Sequence, residues 1–88
     1  VAVAVQRRLL RVSVEAVVYR DPDDPGWWIA EAIYHGEIVA DQGRSPEEAI
    51  ANLREALLLT IEDIHGVDPS YIDLEIVPYV KRPQQSSS

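Results

Sequence analysis

The side chains in this sequence best equipped for chemistry are its carboxylates. Glu15, Glu48 or Glu55, and Asp73 fall on a first strand, a helix and a last strand, the elements from which a two-metal nuclease draws its ligands. The alternation of the chain argues against that use. Glu15 stands between Val14 and Ala16, and Asp73 between Ile72 and Leu74, so both point away from the side that a covering helix would occupy, while Glu48 and Glu55 ride on the helix itself. Carboxylates separated by a sheet cannot share an ion. Asp21, Asp23 and Asp24 superficially resemble a calcium loop, but the run lacks the glycine at the sharp turn and the terminal bidentate glutamate. His35 and His65 precede Gly36 and Gly66, where they read as a turn residue and as a helix C-terminal residue favoured by the dipole. There is no cysteine, no P-loop and no nucleophile elbow. The expectation is a non-enzyme with no catalytic, cofactor-binding or metal-binding residue.

The element that positions everything else is a helix over residues 45–66. Ser45 can accept the backbone N–H of Glu48 while the Glu48 carboxylate reaches back to Ser45, and Pro46 sits where its missing N–H does no harm. Gly66 can close the other end in a left-handed conformation, and Asp68-Pro69 prevents continuation. Ala49, Ile50, Leu53, Ala56, Leu57, Ile61 and Ile64 recur at helical spacing as an apolar stripe that a sheet must cover.

Strands surround this helix. Residues 9–20 alternate, with Leu10, Val12, Val14, Ala16 and Val18 on one side. The turn-forming run Asp21-Pro22-Asp23-Asp24-Pro25-Gly26 joins them to a second strand, Trp27 to Tyr34, in a hairpin. Glu37 to Gln42 reads as a brief third strand around an Ile38-Val39 core, and Tyr71 to Val77 as a fourth that Pro78 ends. The fold class is therefore α+β: a three-stranded antiparallel sheet, one long helix on one face, and a fourth strand added after a right-handed crossover.

The same residues carry a family likeness. Gly43-Arg44-Ser45-Pro46-Glu47-Glu48-Ala49, with Asn52 and Glu55-Ala56-Leu57, resembles the Gly, capping residue, Glu-Glu-Ala and Asn run of HicB-like antitoxin proteins, and Trp28-Ile29-Ala30-Glu31 resembles the aromatic strand after the hairpin in that family. The likeness covers residues 12–64. It departs where the family usually has a Pro-x-Leu-Pro-Gly loop and this chain has Ala32-Ile33-Tyr34-His35-Gly36. The resemblance implies a partial RNase H-like fold with strand order 3-2-1-4. It also implies an antitoxin-type role in which a small basic HicA-like RNA-cleaving partner is occluded.

Composition bounds the rest. The 88 residues suit one domain, residues 1–80, with 1–8 as an extra strand or arm and 81–88 as a disordered polar tail. Eight Lys plus Arg against fifteen Asp plus Glu give a net charge of −7, which repels phosphate backbones and suits a basic partner. The basic residues are scattered apart from Arg7-Arg8 and Lys81-Arg82, so nucleic-acid binding by this chain alone is not expected. No apolar run reaches the length of a membrane span, and Val-Ala-Val-Ala-Val precedes Arg7-Arg8 in the wrong order for a signal peptide, which points to the cytoplasm.

Strand two adds an expectation about assembly. Placing Glu31 beneath an apolar stripe would bury an unpaired carboxylate, so Trp28, Ala30 and Ala32 should face the helix. Trp27, Ile29 and Ile33 then join Val17 and Tyr19 on an uncovered face, with Glu15 and Glu31 at its rim or paired with Arg11. A patch of that kind predicts a homo-oligomer joined through it. A six-residue connection counted without a bulge would instead pair Val18 with Ile29 on the helix side, and one bulge reverses that.

Overall fold

A computed structural model describes residues 8–81. The suggested N-terminal arm and the tail fall largely on residues 1–7 and 82–88, outside the described residues. The chain runs β1 (Leu10–Arg20), β2 (Trp28–Tyr34), β3 (Glu37–Gly43), α1 (Pro46–His65), a 3-10 turn (Pro69–Tyr71) and β4 (Ile72–Val80). The four strands form one mixed sheet in the order β3-β2-β1-β4, antiparallel except for the β1–β4 pair, and the helix packs on one face.

The core is the set of side chains that the two periodicities place opposite each other. Val12, Val14, Ala16 and Val18 from β1, Ala30 and Ala32 from β2, Val39 from β3, and Leu74 and Ile76 from β4 are buried against Ala49, Leu53, Leu57 and Ile61 of α1. The register pairs Val18 with Ala30 and not Ile29, because the connection runs over residues 21–27 and β2 begins at Trp28; Ala30 and Ala32 therefore lie under the helix and Glu31 does not. Ile64 departs from the expected stripe: it is 38% exposed.

The helix starts at Ser45, whose Oγ accepts the Glu48 N–H at 3.1 Å, and stops at Gly66 in the left-handed region (φ 64°). The returning carboxylate differs from the capping box read in the sequence. Glu48 Oε1 accepts the backbone N–H of Arg44, one residue before Ser45, because the entering chain presents that donor instead. Gly43 sits so close to the first turn that a Cβ there would lie 2.5 Å from the Ala49 nitrogen. Asn52 Nδ2 then donates to the Gln42 carbonyl at 2.8 Å, pinning the helix to β3 a second time.

The β2–β3 connection is the two-residue turn His35-Gly36, with both residues at positive φ (50° and 80°), the twist that suits a tight hairpin. Strand β3 therefore reaches Gly43, and its alternation buries Val39 while Ile38 points out and is 69% exposed; the pair does not form a common core. Strand β4 also runs further than Pro78, to Val80, and Lys81 N donates to Val18 O at 2.6 Å, so Lys81 belongs to the ladder and not to a tail. In a parallel edge strand each residue's N–H points alternately toward the neighbour and away from it. Since Lys81 points inward, Pro78 points outward, where its missing donor breaks no ladder bond. By the same alternation the Leu74 carbonyl faces the open edge, and Arg54 reaches from the helix to donate to it at 2.7 Å.

Candidate functional site

The side chains that could act on another molecule collect on the sheet face that α1 leaves bare. Register builds this surface row by row. Val17 lies between Glu31 and Tyr79, Glu31 beside Ala40, Tyr19 beside Ile29, Ile29 beside Gln42, and Ile33 beside Ile38. Toward the other end Glu15 lies beside Val77, Ser13 beside Glu75, and Arg11 beside Asp73. Ile33 and Tyr79 are each 66% exposed, and Val17 and Val77 are exposed as well. A shallow depression of about 390 Å³ is lined in part by Ser13, Glu15, Val17, Glu31 and Ile33.

Of the expected interface residues, Val17, Tyr19, Ile29 and Ile33 share this face. Trp27 continues the parity of Ile29 just beyond them. It precedes β2, its carbonyl accepts the Asp21 N–H, and its ring lies 3.8 Å from the Arg44 guanidinium carbon, so it clamps the hairpin loop to the helix entry. Arg11 engages Asp73 at 3.9 Å and not Glu15 or Glu31, because the parallel register sets it directly opposite Asp73. Ile38, Val77 and Tyr79 are members that sequence reading missed. The signal for Ile38 was the two-residue periodicity of β3; the signal for Tyr79 was that its parity continues Val77 across a proline that an edge strand tolerates.

The electrostatics of the face are lopsided. Among its strand positions Glu15, Glu31, Asp73 and Glu75 are acidic and Arg11 is basic, and Lys81 follows Tyr79 at the same parity just past β4. Ser13 Oγ donates to Glu75 Oε1 at 3.2 Å. Burial, followed by the Glu31 and Asp21 carboxylates, pushes the Tyr19 hydroxyl above its ordinary pKa.

These carboxylates stay on the bare face, and Glu48 and Glu55 stay on the helix; among the described residues no three His, Cys, Asp or Glu side chains are placed to hold a metal ion. The acidic loop is engaged with itself, since Asp21 Oδ1 accepts the Asp23 N–H and Asp24 Oδ1 the Gly26 N–H. No helix of the described residues is long and apolar enough to cross a membrane. No protein-family model, curated protein or solved structure matches the chain, which leaves the geometry of this face as the guide to its role.

Proposed function

We propose that this chain is a protein-binding module of the HicB-like antitoxin type, which neutralises a small basic HicA-like RNA-cleaving partner in the cytoplasm by occluding it and performs no chemistry itself. In this reading the sheet and helix are a partial RNase H-like unit, the helix making a right-handed crossover between β3 and β4. The residues that carry the family likeness support it by working at one joint. Gly43 admits the helix, Ser45 and Glu48 start it, Ala49 fills the contact, and Asn52 ties it to Gln42. Their job is to dock the helix, and none of them is spent on a reactive centre.

The single observation that carries the functional reading is the bare face, where exposed apolar side chains are interleaved with carboxylates. Apolar area rewards covering, and uncompensated carboxylates select a cover that brings cations. A second copy of this chain would bring Glu15 and Glu31 of both protomers into one interface with no lysine or arginine on those rows. A basic partner relieves that cost. Homo-oligomerisation through Val17, Tyr19, Ile29 and Ile33 is the second reading, favoured by the apolar content of the face, and it describes a stand-alone structural or regulatory protein.

Affinity purification of the tagged full chain from native cells, beside its Glu31→Arg variant, separates them. The expected result is a small basic ribonuclease bound stoichiometrically to the wild type, released by salt, and lost from the variant. A wild type that is only a homo-oligomer by light scattering, with the variant dissociated or unaffected, would replace the first reading with the second.

A further inference from the structure

Away from the bare face, three rings drawn from distant parts of the chain meet at the end of the sheet. Tyr34 closes β2, His35 opens the tight turn, and His65 ends the helix. The His35 and His65 ring centres are 5.2 Å apart at 80°, and Tyr34 lies 4.5 Å from His35 and 5.8 Å from His65. Tyr34 Oη and His65 Nε2 are 2.6 Å apart.

We infer that His35 and His65 form a two-imidazole site for a borderline divalent transition ion of the zinc type. Two imidazoles on one tetrahedral ion, each with a metal–nitrogen bond of about 2.0–2.1 Å, hold their ring centres roughly 5 Å apart. The observed centre-to-centre spacing matches that figure. Ligation through Nδ1 of His65 requires the tautomer in which Nε2–H donates to Tyr34 Oη, the kind of outer contact that ligating histidines use.

Two further features favour a cation here. The site lies at the carbonyl end of α1, the negative end of the helix dipole. Glu37 stands opposite Tyr34 in the pair that closes the turn, and Glu62 and Asp63 belong to the last helical turn. With no third His, Cys, Asp or Glu in reach among the described residues, water completes the coordination, and the site is an exchangeable one that staples the β2–β3 turn to the end of the helix.

Zn²⁺ titrated into the full chain, followed by calorimetry and by thermal melting, tests the site independently of any partner protein. The wild type should bind one ion and melt higher with it, since an ion bound only by the folded state shifts the equilibrium. His35→Asn, which suits the left-handed turn, and His65→Gln should each bind about a hundredfold more weakly, because the second imidazole closes an intramolecular ring. Tyr34→Phe should lose about tenfold while both histidines remain. Circular dichroism of the ion-free variants confirms that they fold. Equal Zn²⁺ affinity in the wild type and both histidine variants, or no binding by the wild type, overturns the assignment.

Discussion

Gly43 is where a single missing methyl group decides how the helix meets the sheet. A Cβ at this position would approach the Ala49 nitrogen to 2.5 Å and the Glu48 carbonyl carbon to 2.7 Å, and both are backbone atoms that move only if the helix moves. Gly43→Ala should therefore destabilise the fold by about 1–3 kcal/mol, the range of an overpacked core, seen as a lower urea midpoint with an unchanged slope. An unaltered midpoint would mean that the helix start is free to shift. Tyr19 gives a second residue-scale expectation. Its hydroxyl pKa is raised above 10.0 by burial first and by Glu31 and Asp21 next. The folded state thus holds this proton more tightly than the unfolded chain. The associated stability is present below the ordinary value of about 10 and is lost as pH rises through the higher folded value. Glu31→Gln should lower the Tyr19 pKa without restoring it fully, because burial is the larger cause. Titration of the tyrosine ring signals by NMR reads this directly, and an ordinary pKa for Tyr19 in the wild type would contradict it.

Among the elements, the two sheet edges are finished by different means. On β4, Pro78 offers no donor outward and Arg54 covers the Leu74 carbonyl; on β3, Gln42 has its N–H held by Asp41 Oδ1 and its carbonyl by Asn52. Each device removes pairing groups that a stray strand would use. Arg54→Met should cost about 1 kcal/mol in a urea melt, since a charge-assisted bond is lost but the freed carbonyl can turn to water; no change in the midpoint would show the bond to be idle. The helix and β1 were legible in the sequence because their signals are local: a cap, a left-handed glycine, and periodicities of 3.6 and 2. The hairpin parity was legible for a tertiary reason, the price of burying Glu31. The end of β4 was not, because whether a proline stops a strand depends on which way its nitrogen faces, and that is fixed only by pairing with β1. The stacking of Trp27 was not legible for a similar reason. Its partner Arg44 is distant along the chain, and nothing in the alternation of β2 reveals the stacking. The carboxylates of the bare face were each assigned to the correct side, but their clustering with Val77 and Tyr79 appears only once β4 is known to lie beside β1.

At the scale of the whole molecule, one layer of helix covers one side of a four-stranded sheet, and the other side presents Val17, Ile33, Ile38, Val77 and Tyr79 among four carboxylates. The net charge of −7 has the same sign as this local pattern, so on the proposed reading it would favour a cationic partner over further copies of the chain at low salt. Because the acidic groups sit within the apolar area, a partner bound here would place its own lysines and arginines in a desolvated interface, and a ribonuclease so engaged would lose access to phosphate. The most direct measurement is RNA cleavage by the co-purified basic protein, after separation from this chain, as wild type or Glu31→Arg is added back. The wild type should suppress cleavage near equimolar ratio and the variant should fail to do so at the same concentration. Cleavage unaffected by the wild type, or suppressed equally by the variant, would contradict occlusion by the bare sheet face.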